Sequence, residues 1–489
     1  MACPTQLDLE SQTPQSEKQP PTPSSLQPDE CSPAYNSSTA QKCLVVFTTS
    51  FITLSASFSS TSLFSAADQI AGDFGTTAVV INASSAGVLF TMSVSTFIWG
   101  PIATLTGRLA AWYACIVALL FFTMAGALSP NLSTFIAFRV LSGFQGTFFH
   151  VTGQTILAEY FPPTSRGTAT GFFLCGTVLG SPLGPLVAGV VVTYQSWRVI
   201  LWVQVGMIAI GLLFSFLFLR KGCSPALIPK DDETTLMSHV VHALNPMKVL
   251  GLMKYPNVLL TDIACGLLAW SQYALLSSPR HILVSQFNLN TPLISGLFYL
   301  SPTAGFLFGT IIGGRFSDHT VRQWIKRRDG IRLPQDRLRS GFASFFFVIP
   351  AASLIFGWCI EEQVGGLAIP IVTAFFSAAG LLAALAGLNT YCAEVMPKRR
   401  SDAIASKYVV QYTFSALATA TCVPMIDAIG VGWQSTISTI LVLVAGGLCI
   451  TVALYGINMQ IWVDRKCSHG TGSEPVSTAS SAVNTPTRT

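Results

Sequence analysis

The chain has 489 residues, of which 51% are hydrophobic and only 10% charged. Soluble proteins carry about 25% charged residues, so this chain lacks the ionic surface for a water-facing exterior. Its formal net charge of +5 follows membrane topology, as the distribution below shows, and argues against nucleic acid as a partner.

Residues 1–42 are rich in Pro, Ser and Gln ("SQTPQSEKQPPTPSSLQPDECSP") and cannot build a core, which predicts a disordered cytoplasmic tail. No cleavable leader pattern opens the chain, so the first apolar stretch is expected to direct insertion. Apolar stretches then recur at 43–65, 79–99, 110–128, 132–157, 167–192, 198–219, 256–278, 293–313, 341–360, 366–391, 403–424 and 433–457. Each suffices to cross a hydrocarbon core about 30 Å thick. Lipid offers no partners for unpaired backbone groups, so these spans are expected to be helices. The alternating short strands of a membrane barrel are absent from the sequence. A polar linker at 220–255 separates a first half, 43–219, from a second, 256–463, and residues 464–489 form a second tail.

Basic residues set the orientation. With both termini cytoplasmic, all but three of the 27 Lys and Arg fall in inner segments, Lys407 being counted with the basic loop that leads into span 11. The three are Arg139, Arg198 and Arg280, while the outer loops hold Asp68, Asp73, Glu361, Glu362 and Asp427. The 12 cysteines form no CxxC pair, and Cys115, Cys175, Cys265, Cys392, Cys422 and Cys449 fall inside spans. They read as small apolar fillers.

The chain is duplicated. "LAEYFPPTSRG" (157–167) and "CAEVMPKRRSD" (392–402) each carry Ala-Glu, a Pro three residues on, and then Arg. The offset from Glu159 to Glu394 is nearly that from Trp197, opening span 6, to Trp433, opening span 12. Gly100 and Gly314, which follow spans 2 and 8, match at a shorter offset, the difference lying in the longer loop "HTVRQWIKRRDGIRLPQDRLRS". Parallel halves of this kind are typical of transporters that hold substrate between the repeats.

On these residues the sequence resembles the major facilitator superfamily, whose loop after span 2 reads roughly G-x-L-a-D-r-x-G-R. "GPIATLTGR" supplies Gly100, Gly107 and Arg108 but has Thr104 in place of Asp; "GGRFSDHTVR" has Gly314, Asp318 and Arg322 with Val321 in place of Gly. "FRVLSGFQGT" (138–147) resembles the span 4 motif through Arg139. "GTVLGSPLGPLVAGVV" (176–191) resembles the span 5 antiporter motif through Gly180, Gly184, Pro185 and Gly189. In lipid, glycines spaced by four let another helix approach closely, and neighbours can satisfy carbonyls freed by proline. Such a helix suits the interface between rocking halves, and by resemblance the motif favours export. Longer stretches, such as "YPNVLLTDIACGLLAWSQYALLSSPRHIL" and "RLPQDRLRSG", are similar to the fungal itaconate exporters of the twelve-span drug:proton antiporter group. The resemblance implies a plasma-membrane exporter of a small organic dicarboxylate, itaconate, working as a monomer by alternating access with proton coupling. A multidrug or secondary-metabolite efflux pump is the nearest alternative, kept open by 33 Phe residues; a non-transporting nutrient sensor would need longer tails. No GxSxG, HExxH or phosphate loop is present, so neither an enzyme, nor a metal or cofactor, nor ATP as energy source is expected.

Charges near the bilayer centre are unfavourable by about 2.5–3.5 kcal/mol and are functional candidates by default. Arg139 in span 4 and Arg280 at the end of span 7 are the expected clamp for a dianion, since Arg binds carboxylate through two parallel hydrogen bonds. Arg139 could equally be a structural or proton-coupling group, and Arg280 could snorkel to headgroups. Asp262, the one acid well inside a span, is expected either to exchange protons with the inner solution or to bond a basic loop. His150 lies eleven residues from Arg139, near one face of span 4, and would titrate or simply line the pocket. Gln154 and Tyr273 are the preferred neutral pocket members.

Overall fold

The computed structural model describes residues 38–161, 166–219, 247–289, 291–330, 333–396 and 399–471. Residues 1–37, 220–246 and 472–489 lie outside the described residues, and with them the expectation of disorder there; at the tail ends expected to be disordered, residues 39–42 and 464–471 instead belong to the helices of spans 1 and 12. Among the described residues the structure is all helical.

Spans 2, 3, 5, 6, 7 and 10 are single helices at Ala78–Thr106, Arg108–Ala127, Arg166–Tyr194, Arg198–Phe218, Pro256–Ser277 and Ala368–Val395. Span 1, Thr39–Thr61, continues through a 3-10 turn into the short helix Ala67–Phe74, which stops at the left-handed Gly75. Span 4 is broken between Leu132–Gly143 and Gly146–Tyr160. Span 8 starts as Pro292–Phe298 and continues as Leu300–Arg327, well past its expected inner end. Span 9 enters through a π-helical turn, Ser344–Val348, before Ile349–Glu361. Spans 11 and 12 lie in one assigned stretch, Arg400–Thr471, whose helices meet at Gly430 with φ 86°. Ten described stretches are long and apolar enough to cross a membrane, and Arg400–Arg465 among them holds two spans. With the broken span 4, this is consistent with twelve crossings.

The duplication is visible in the packing. Span 1 lies against span 5 and span 7 against span 11, while spans 2 and 11, and spans 5 and 8, pair across the halves. Two apolar clusters, around Trp112–Phe149 and Phe135–Trp197, fill the first half, and one large cluster fills the second. A fourth crosses between them, joining Val88, Leu89, Met92 and Val151 to Tyr273, Ile404, Tyr408 and Tyr412. Large apolar side chains such as Phe121, Phe172, Phe216 and Phe347 remain on the outside, as expected where lipid is the solvent. The repeat is imperfect in detail, for Trp197 is fully buried whereas Trp433 is exposed and stacks edge-on with Trp358.

The glycine-proline run of span 5 faces two neighbours. A Cβ at Gly180 would stand 2.5 Å from the Leu54 carbonyl oxygen, and one at Gly184 would stand 2.8 Å from Thr61 Oγ1, both on span 1 of the same half. A Cβ at Gly189 would stand 2.5 Å from Gly296 Cα on span 8, in the other half. Only Gly189 of these three therefore serves the seam between halves. Pro185 cannot donate to the Ser181 carbonyl one turn earlier, and Thr61 Oγ1 donates to that carbonyl instead, at 2.6 Å. Ser65 Oγ donates to the Pro185 carbonyl at 2.9 Å. At Pro185 the helix thus continues with a span 1 hydroxyl in place of the missing amide.

Candidate functional site

The inner gate motifs resolve into two unequal halves. Gly107, at φ 90°, makes the turn between spans 2 and 3, a backbone conformation that only glycine adopts without strain. Gly100 and Gly314 have no such requirement, since a Cβ at either would meet nothing within 4 Å. Thr104, standing where Asp is expected, donates only to the Pro101 carbonyl of its own helix. Arg108 instead pairs with Glu159 at the end of span 4. In the second half Arg337, just before span 9, joins Asp318 at 3.1 Å and Glu394 at 3.0 Å. Arg322, the expected counterpart of Arg108, is exposed. The inserted loop changes the register, so that Arg337 rather than Arg322 occupies the position facing the repeated glutamate.

At the outer ends the halves are tied together. Arg280 Nε lies 2.9 Å from Asp68 Oδ2, and its Nη1 donates to Ser295 Oγ at 3.2 Å. Arg139 is elsewhere: it is 3% exposed, and its Nη1 donates at 2.9 Å to the carbonyl of Ser59 on span 1. Its Nε and Nη2 have no hydrogen-bond partner. The two residues expected to form a clamp do not meet in this structure. The two arginines are committed to different partners, Arg139 inside the first half and Arg280 across the outer seam beside the Gly189–Gly296 contact. The reason is the acid at position 68, which the short helix after span 1 brings to the end of span 7.

The outer tie predicts a measurable shift. Asp68→Asn should raise labelling of a cysteine placed at Ser295 by a membrane-impermeant thiol reagent. The Asp68 side chain is 54% exposed, so the pair contributes at most about 1 kcal/mol, or roughly fivefold in the open population. Labelling unchanged in that variant would show that the glycine contact alone closes this end.

A buried polar cluster crosses the halves further in. His150 is fully buried on span 4. Its Nδ1 lies 2.9 Å from the Gly146 carbonyl, and Nε2 lies 3.2 Å from both Ser57 Oγ on span 1 and Tyr412 Oη on span 11. Because a carbonyl can only accept, Nδ1 carries the proton in the neutral ring, and Nε2 accepts from a hydroxyl. One turn inward, Gln154 Nε2 donates to Tyr408 Oη at 3.3 Å, again from span 4 to span 11. The Tyr408 and Tyr412 rings stand 5.2 and 5.9 Å from the imidazole. Tyr273, on span 7, is buried beside Ser60 and Ser181 of the first half. His150, Gln154 and Tyr273 are thus all at the interface between halves.

Lys407 is the residue that the sequence reading misplaced. It lies within span 11 and is 2% exposed, not in the loop with its basic neighbours. Nζ donates to Asn389 Oδ1 on span 10 at 2.7 Å and sits 3.4 Å from the centre of the Tyr408 ring. Asp262 is fully buried on span 7, with Ser406 of span 11 beside it. The signal was present: the apolar run predicted from 403 already contains Lys407, and only its nearness to Lys398, Arg399 and Arg400 favoured a loop. No group of His, Cys, Asp and Glu among the described residues could hold a metal ion, and the described cysteines are free thiols.

Comparisons with known proteins agree with this architecture. The sequence profile of the Major Facilitator Superfamily matches residues 49–420. The MFS transporter fsa7 of Fusarium sp. (strain FN080326) is 25% identical over 431 residues, covering 84% of this chain and 83% of that protein. The efflux pump radE of Floropilus chiversii is 24% identical over 378 residues, 71% of this chain and 69% of its own. Among solved structures, a bacterial homolog of the human lysosomal transporter Spinster, inward-facing and unoccupied, superposes with a TM-score of 0.59 at 15% identity, covering 86% of this chain and 99% of that one. A POT family transporter in complex with a thioalcohol-conjugated peptide superposes with a TM-score of 0.62 at 13% identity, covering 85% and 96%.

Proposed function

Because the chain belongs to the major facilitator superfamily, and so is a membrane transporter rather than a soluble binding protein, we propose that its cargo is a small organic carboxylate. By resemblance that cargo is itaconate, exported across the plasma membrane by alternating access and coupled to protons. The observation that supports this most is Lys407, a buried cation behind the partly exposed Asn389. With Tyr408 and Tyr412 it adjoins neutral donors that span the halves. A cation held away from water attracts an anion that can replace its hydration. Hydroxyls and amides at the seam suit the remaining oxygens of a compact, polar solute.

Arg139 acts on this reading from within the first half, holding span 4 to span 1 beside the pocket. Arg139→Lys should insert and express normally but transport about tenfold more slowly, because an ammonium cannot reproduce the fork of a guanidinium. Flux at the wild-type rate would remove Arg139 from the mechanism.

The reading is tested by reconstituting the full chain in liposomes loaded with labelled itaconate and measuring its release, alongside succinate and a bulky neutral metabolite. Release of the dicarboxylates, with little of the neutral compound, is expected. The reverse order would favour a secondary-metabolite efflux pump, the second reading, which is supported by relatives such as the radE efflux pump.

A further inference from the structure

The geometry points to a binding site for the headgroup phosphate of an anionic phospholipid at the inner end of span 8, where three guanidinium groups gather on Trp324.

Span 8 changes character along one face. Its helix Leu300–Arg327 has 28 residues, about 42 Å at 1.5 Å per residue, against a hydrocarbon core of about 30 Å. Phe308 and Ile311 are exposed on it, as suits a side that meets lipid. Residues three and four apart share a helix face, so the same stripe continues as Arg315, His319, Arg322 and Lys326, all exposed. The face that is apolar at hydrocarbon depth is thus basic where the helix leaves it, at the depth of the headgroups. The bias of Lys and Arg assigns this end to the cytoplasmic leaflet, which is the leaflet that carries anionic lipid.

The inserted loop supplies a second, independent observation. It brings Arg339 back onto the helix, with its guanidinium carbon 3.9 Å from the centre of the Trp324 ring. Arg328 and Arg327 reach the same ring at 5.0 and 5.2 Å. Each contact is attractive by itself, but three like charges about one indole repel one another unless an anion lies among them. The acids nearby are committed elsewhere or point away. Asp336 is fully buried and pairs with Arg328 at 2.8 Å, and Asp318 pairs with Arg337 at 3.1 Å. Asp329 is exposed in the turn beyond the helix, at φ 50°. Among the described residues Arg327 and Arg339 form no ion pair, and Arg339 Nε has no hydrogen-bond partner.

A phosphate supplies what this cluster lacks. Its oxygens meet the guanidinium fork through parallel hydrogen bonds, and an indole is favoured at headgroup level. The acyl chains then lie along Phe308 and Ile311. A free phosphate ion offers the same oxygens but leaves that apolar stripe unused, which favours the lipid. The bound headgroup pins the inserted loop, which also carries Arg337, against span 8.

The test titrates the purified full chain, in detergent micelles, with phosphatidylserine or with phosphatidylcholine of the same acyl chains, and counts bound lipid by native mass spectrometry. Each basic residue near an anionic surface contributes about fivefold, so two or three of them should favour phosphatidylserine by about twentyfold or more. Arg322→Gln, Lys326→Gln and Arg327→Gln together should abolish that preference, and Arg339→Gln should weaken it. Lys254→Gln, Arg399→Gln and Arg400→Gln together remove the same charge from other inner segments and should keep it. No preference in the wild type overturns the proposal, whatever the variants do. Equal loss in both triple variants would show attraction to net charge alone and would overturn it too. Millimolar inorganic phosphate that binds and excludes phosphatidylserine would assign the cluster to a soluble anion instead of a lipid.

Discussion

Lys407→Ala is expected to abolish transport and to lower thermal stability. The substitution removes the only buried lysine among the described residues while Asp262 stays fully buried, and a buried polar group left unpartnered typically destabilises by about 1–3 kcal/mol, more if it is charged. The carboxyl group can relieve part of this by holding a proton, so the deficit should grow as the pH rises. The double variant Asp262→Asn, Lys407→Gln removes both charges and should recover most of the stability, because a neutral pair needs no counter-charge. It should not recover transport. Thermal unfolding in detergent and flux in liposomes separate the two effects. A stable, active Lys407→Ala would mean that the buried ammonium has neither role.

Gly180→Leu and Gly189→Leu are expected to fail in different ways. At Gly180 the new side chain meets backbone and Cβ atoms of span 1, the Leu54 carbonyl oxygen and Ser57 Cβ at 2.5 and 2.7 Å. Span 1 cannot yield without losing the Thr61 bond that satisfies the Ser181 carbonyl. Overpacking of this kind destabilises by about 1–3 kcal/mol or more, so little folded protein should be recovered. At Gly189 the clash is with Gly296 in the other half. There the halves can part, so the protein should fold but lose its outer closure and transport about tenfold or more slowly. Gly171→Leu is the control, since nothing lies within 4 Å of its Cβ position. Equal behaviour of all three variants, by yield and flux, would show that helix spacing along span 5 does not matter.

At the end that carries the gate motifs, the first half holds with one ion pair where its motif lacks the expected acid. Thr104 bonds to its own helix, leaving the Arg108–Glu159 pair to brace this end of the first half, while the second half uses two acids on Arg337. The repeated Glu159 and Glu394 were legible as a pair from their shared surroundings in the chain. Their arginine partners were not, because an insertion moved one of them beyond the motif that seemed to contain it.

Sequence alone determined what depends on the solvent and on runs of neighbours. Apolar stretches of membrane length, the inner bias of Lys and Arg, the duplication and the glycine-proline run were all readable locally, since lipid penalises every exposed backbone group and charge along the chain. Tertiary structure decided which scarce polar groups meet. Arg280 joined Asp68 and not Arg139, and His150 reached Tyr412. Lys407, one residue among several basic neighbours, became a buried donor to Asn389. These pairings join spans far apart in the chain, and helix rotation and register, set by packing over whole helices, fix them where no local pattern records it.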